Sequence, residues 1–174
     1  MQRNLPASLL IILGLLFGTV AAAQTAPMID IDDSTGPVGK PAPSVSLQTL
    51  DGKDFTLDSL KGQVVVLSFW ASWCRPCRGE MPELEDVYNS FKNKGVTVVG
   101  VNVDRKPEAA QAFLRAHPVT FPIVMDPDSL LLGKFEVTSM PTSFVIDRKG
   151  IVRKKTVGYR PEYIEELRKF ISTL

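Results

Sequence analysis

The stretch Val64-Val65-Val66-Leu67-Ser68-Phe69-Trp70-Ala71-Ser72-Trp73-Cys74-Arg75-Pro76-Cys77 decides how this chain is read. Through Trp70 it is a continuous β-branched and aromatic run, the pattern of a strand covered on both faces. Beyond it, Met81, Leu84, Val87, Tyr88 and Phe91 recur at three- and four-residue spacing, which predicts a helix from about Pro76 to Lys94 that stops at Gly95. The two cysteines therefore fall where a buried strand hands over to a helix.

Working outward, Val96 to Val103 reads as a second buried strand and Pro107 to Ala116 as a helix. Further strands are expected at Pro122 to Met125, Ser143 to Asp147 and Ile151 to Val157, the last two joined by a turn at Arg148-Lys149-Gly150. Helices are expected at Ser129 to Phe135 and Pro161 to Ser172. Upstream, Val45 to Leu50, the turn signal Asp51-Gly52 and Phe55 to Leu57 suggest a small hairpin. Alternating strands and helices predict an α/β fold with a mixed central sheet and helices on both faces. Ligands of such sheets sit beyond the carboxyl ends of the strands, where Trp73-Cys74 lies.

The chain has 174 residues. It opens with Arg3, an apolar stretch from Leu9 to Val20 and the small residues Ala21-Ala22-Ala23, so residues 1–23 read as a secretory signal peptide, or a membrane anchor if retained. The expected location is the periplasm. Residues 24–40, rich in Pro, Asp, Ser, Thr and Gly, read as a tether, and 41–174 as one domain. Taking 23 residues from 174 leaves 151, which suits one domain with its own core. The chain has 20 basic and 19 acidic residues, and the leader holds one of the basic ones. A mature chain near zero net charge has no basic surplus to drive nucleic-acid binding.

An oxidising compartment suggests that two cysteines staple the fold. A bridge three positions apart closes too short a loop to contribute much, about 2 kcal/mol against about 3 for a 15-residue loop. Reactivity explains the spacing better. A helix N-terminus presents unpaired N–H groups and partial positive charge, which lower a cysteine pKa from about 8.5 towards 3.5–7.5 and favour thiolate. Arg75 acts in the same sense. Cys74 is then the attacking thiol, and Cys77, further into the helix, the shielded resolving thiol. Pro76 preorganises the loop through its fixed φ. A closed zinc site needs four ligands, whereas the chain offers two cysteines and His117, to which no role is assigned.

The stretch Val64 to Cys77, the following Glu80-Met81-Pro82, and Met140-Pro141-Thr142-Ser143-Phe144 resemble the thioredoxin superfamily and, within it, the TlpA/ResA-type proteins, over about residues 40 to 174. The resemblance implies a thioredoxin-like fold with an N-terminal hairpin and a central insertion, here Asp104 to Met125. It implies a cis Pro141 facing the cysteine pair, and substrate contacts from Trp73, Arg75, Pro76, Met140 and Pro141. Many thioredoxins carry a buried aspartate on the strand before the motif; this chain has Ser68 there. Glu80 resembles the acidic residue of the TlpA/ResA branch and is expected either to relay a proton to and from the cysteines or simply to complement the helix dipole. Trp73 is a substrate platform or core, and Trp70 core.

The function expected is thiol:disulfide oxidoreduction without a cofactor or metal, by a monomer, on the cysteines of exported proteins. The resemblance favours a reductase serving cytochrome c maturation or copper-site assembly, with apocytochrome c or copper-site proteins as substrates and a membrane thiol reductase as electron donor. Alternatives are a thiol oxidant or isomerase, a copper(I)-binding module, and a peroxiredoxin-like peroxidase.

Overall fold

The computed structural model describes residues 36–174. In chain order the strands are β1 (Leu47–Thr49), β2 (Asp54–Phe55), β3 (Val64–Trp70), β4 (Val96–Asn102), β5 (Ile123–Met125), β6 (Thr142–Ile146) and β7 (Val152–Val157). The helices are α1 (Cys77–Phe91), α2 (Pro107–Ala116), α3 (Leu130–Lys134) and α4 (Pro161–Ile171). The strands form one mixed sheet in the order β2-β1-β5-β4-β3-β6-β7. β3 runs parallel to β4 and antiparallel to β6, with Ser68 opposite Ser143 and Phe69 opposite Thr142.

Every residue of β3 and β4 is buried, as suits largely apolar central strands. The two-residue period of the strands splits the core in two. Val64, Val66 and Trp70 face one side, where Met81 and Leu84 of α1, Phe113 of α2 and Leu167 of α4 cover them. Val65, Leu67 and Phe69 face the other, against Leu131 of α3, Phe135 and Phe144. The expected insertion does two jobs. It supplies α2, which covers the first face, and β5, which bridges β4 and the hairpin strand β1.

The structure adjusts several expected boundaries. The second hairpin arm ends at Phe55, because Leu57–Leu60 turn into a 3-10 helix that buries Leu57. The helix expected from Ser129 begins at Leu130, since Ser129 adopts φ 57° and Asp126 caps Leu130 and Leu132 through their N–H groups at 2.8 and 2.9 Å. The leader, residues 1–23, and most of the expected tether lie outside the described residues. The described end of that tether is tied to the sheet, with Gly39 N donating to Val152 O at 2.8 Å and Val152 N to Lys40 O at 3.0 Å. Among the described residues no helix is long and apolar enough to cross a membrane.

Candidate redox site

Cys74 and Cys77 are joined by a disulfide, with their Cα atoms 5.4 Å apart. The helix begins at Cys77, one residue later than its apolar periodicity suggests, with Pro76 as its cap. Cys74 therefore lies in the turn before the helix. Its sulfur still receives the helix end, because Cys77 N–H points at Cys74 Sγ at 3.3 Å. Cys77 is fully buried and Cys74 is 4% exposed, whereas Trp73 is 67% exposed. Trp73 is thus a surface residue beside the disulfide, and Trp70 is core, stacked 4.8 Å from Phe113. Arg75 and Pro76 are exposed on the same turn.

Two hydrogen-bonded clasps hold this turn. Cys74 N donates to Ala71 O at 3.0 Å. Asp104, almost fully buried just after β4, accepts from Ser72 N at 2.9 Å, Ser72 Oγ at 3.0 Å and Asn102 Nδ2 at 2.9 Å. Sequence reasoning places Asp104 only as the start of the insertion. Nothing in its local spacing ties it to Ser72, 32 residues away.

Glu80, expected either as a proton relay or as a complement to the helix dipole, is fully buried. Its Oε2 accepts from Ser68 Oγ and its Oε1 from Ser143 Oγ, each at 2.8 Å. Burial dominates and pushes its pKa up to about 7, against the two serine hydrogen bonds, which favour the ionised form. The hydroxyl of Ser68 is therefore a partner of a buried acid one turn from Cys77, in the place where the strand itself carries none.

The Met140–Pro141 peptide is cis. Since Thr142 pairs with Phe69, Pro141 sits at the sheet edge from which the Trp73-Cys74 turn leaves β3. Pro141 O accepts from Gly158 N at 2.8 Å, which brings the β7–α4 connection to the same place. Met140 is partly buried against the apolar residues on both faces of the sheet. The next residue in that connection, Tyr159, packs its ring on Gly79 so closely that a Cβ there would lie 2.6 Å from Tyr159 Cε1. This contact is a second feature that the sequence did not announce. His117 packs on Phe113 with ring centroids 4.7 Å apart, and among the described residues no three His, Cys, Asp or Glu side chains gather as a metal site would need.

Residues 38–155 match the AhpC/TSA family. The chain is 37% identical over 121 residues to the thiol-disulfide oxidoreductase ResA of a Bacillus cereus strain, covering 70% of each chain. To the protein of the same name from Bacillus subtilis (strain 168) it is 39% identical over 124 residues, covering 71% of this chain and 69% of the relative. The crystal structure of a putative thiol:disulfide interchange protein DsbE from Chlorobium tepidum superposes with a TM-score of 0.76 at 39% identity, covering 80% of this chain and 98% of that one.

Proposed function

The chain belongs to the AhpC/TSA family and is a thioredoxin-like thiol-disulfide oxidoreductase, and from that premise we propose that Cys74 exchanges with protein substrates and Cys77 resolves. In the reducing direction Cys74 thiolate attacks one sulfur of the partner's disulfide and expels the other as thiolate. Cys77 thiolate then attacks Cys74 Sγ, closing the Cys74–Cys77 disulfide and releasing the second partner thiol. Two electrons and two protons pass to the partner. The observation that carries this reading is the Cys77 N–H aimed at Cys74 Sγ, a donor already in place for the negative charge that develops there.

Glu80, one turn along α1 from Cys77, stores and returns the proton of the resolving thiol; a carboxyl titrating at about 7 exchanges protons in either direction near neutrality. Exposed Trp73, Arg75 and Pro76, backed by half-buried Met140 and buried Pro141, form the surface on which the substrate's cysteine segment lies. The chain works as a monomer on the periplasmic side, reducing apocytochrome c or copper-site cysteines and being re-reduced by a membrane thiol reductase. The exported N-terminal pattern and the resemblance to the TlpA/ResA type support this placement.

A redox titration of the protein against glutathione and dithiothreitol buffers, followed by Trp73 fluorescence and thiol alkylation with Cys74→Ser as control, tests the reading. A single two-electron transition at or below about −270 mV supports the reductase, and one near about −120 mV makes the protein an oxidant. Absence of any reversible transition overturns the assignment of the pair.

A further inference from the structure

β3 and β4 are parallel neighbours, so the helices that follow them, α1 and α2, both start from the sheet edge that carries the redox turn. Asp104 joins the two connections, accepting from Ser72 N at 2.9 Å and from Ser72 Oγ at 3.0 Å. Arg105, the next residue, therefore stands beside the turn from Ser72 to Arg75. Four exposed cations gather here: Arg75 just before α1, Arg78 in its first turn, and Arg105 and Lys106 just before α2.

This placement runs against helix electrostatics. A helix N-terminus carries partial positive charge and is stabilised by acids, so cations there are repelled by the helix end as well as by one another. Elsewhere cations are paired: Lys53 with Asp51 and Lys61 with Asp58 at 2.7 Å each, Arg153 with Asp147 at 2.6 Å, and Arg160, at the start of α4, with Glu166 at 2.9 Å. Among the described residues, the side chains of Arg75, Arg78, Arg105 and Lys106 make no ion pair or hydrogen bond. Two exposed acids share this half of the edge. Glu108 lies in the first turn of α2, and Asp128 lines with Arg105 a cleft of about 590 Å³ without pairing to it. Glu83 and Glu162 lie on the other side of the disulfide, about Tyr159 in the β7–α4 connection. The half next to β4 keeps a positive surplus.

We propose that this half of the edge docks an acidic polypeptide: the segment beside the partner's disulfide carries Asp or Glu side chains that lie over Arg105 and Lys106 while its cysteine meets Cys74. The proposal rests on Cys74 and Cys77 exchanging with protein disulfides, and it names the class of protein they select. Anionic side chains complement both helix ends and relieve the mutual repulsion of the four cations, so a placement unfavourable in the free chain becomes favourable in the complex. Opposite charge also speeds the encounter, through a field that salt screens over about 8 Å at physiological ionic strength.

The test measures how fast the reduced full chain reduces synthetic disulfide peptides that differ only in flanking runs of Glu, Ser or Lys, read by alkylation and mass spectrometry. At low salt the Glu peptide should react about tenfold faster than the Ser peptide, and the Lys peptide more slowly than either. Near 1 M salt, where the screening length is about 3 Å, the differences should shrink to about twofold. Arg105→Glu combined with Lys106→Glu should abolish the preference for the Glu peptide and leave the Ser peptide's rate unchanged. The double variant places acids at the start of α2, so its urea midpoint should be equal or higher, which separates docking from damage to the fold. Equal low-salt rates for the peptides, or a Glu preference that survives the double variant, overturns the proposal and leaves the oxidoreductase reading standing. A lower urea midpoint overturns it by giving the two cations a structural role. Salt-sensitive binding to anionic lipid vesicles without any peptide preference overturns it in favour of a membrane surface. A Ser peptide that is not reduced at all removes the exchange itself, and the proposal with it.

Discussion

Ser68 on the central strand donates its hydroxyl to Glu80 on the redox helix at 2.8 Å, across twelve residues of sequence. The strand brings a donor and the helix brings the acid, so the buried carboxyl sits one turn from Cys77 with one oxygen on each of two neighbouring strands. Burial and hydrogen bonding pull its proton affinity in opposite directions, and burial wins.

Glu80→Gln should flatten the pH dependence of stability. The fold holds the Glu80 proton to about pH 7, whereas the unfolded chain releases it near 4.5. Its contribution is therefore full below about 4.5 and lost as pH rises through 7, an amount of about 3 kcal/mol. Urea unfolding of the oxidised protein at pH 4.5 and pH 8 should show this fall in the native sequence and not in Glu80→Gln. Parallel curves for the two would mean that Glu80 titrates normally.

Ser68→Ala should act on one protonation state. At pH 8 it leaves an ionised Glu80 oxygen without a donor and should cost about 1–3 kcal/mol, while at pH 4.5, with the carboxyl neutral, the cost should fall below about 1 kcal/mol. Equal losses at both pH values would assign Ser68 to packing alone.

Asp104→Ala should destabilise the fold by about 2–3 kcal/mol, because Ser72 N and Asn102 Nδ2 lose their acceptor in a nearly dry place. Asp104→Asn keeps one acceptor oxygen and should recover about half. The turn that carries Trp73 should also loosen, read as a drop in Trp73 fluorescence anisotropy relative to a variant destabilised elsewhere. Unchanged stability in Asp104→Ala would show that the clasp holds nothing.

Gly79→Ala should cost about 1–3 kcal/mol, since the new methyl would meet the Tyr159 ring at 2.6 Å. Combined with Tyr159→Ala the loss should largely vanish, a coupling that a double-mutant cycle reads directly. Additive losses would place the strain in the helix backbone instead.

Cys77→Ser should trap mixed disulfides through Cys74, visible by mass spectrometry under non-reducing conditions, and Cys74→Ser should trap far fewer. The reverse ranking would exchange the roles of the two thiols. The 4% exposure of Cys74 against the complete burial of Cys77 sets this expectation.

Much of the fold was legible because the signal was local. The apolar run Val64 to Trp70 and the spacing from Met81 to Phe91 each fixed an element within its own residues, and the strand-to-helix junction between them placed the cysteines. Boundaries slipped where tertiary contacts outweighed local pattern. Leu57 left the hairpin because burying it in a 3-10 turn served the core better than pairing, and Ser129 dropped out of α3 because Asp126 capped one residue later.

The sequence by itself determined the chemistry: two cysteines at helix-start spacing after a buried strand, with an acid one turn on. Only the tertiary structure decided the environment of that chemistry. Whether Glu80 faces water or the core depends on Ser143, 63 residues away, lying beside Ser68 in the sheet register. The hold of Asp104 on Ser72 and of Tyr159 on Gly79 depends likewise on distant segments meeting. A proton affinity is set by desolvation and by the donors within about 3 Å, and neither exists until the chain is folded.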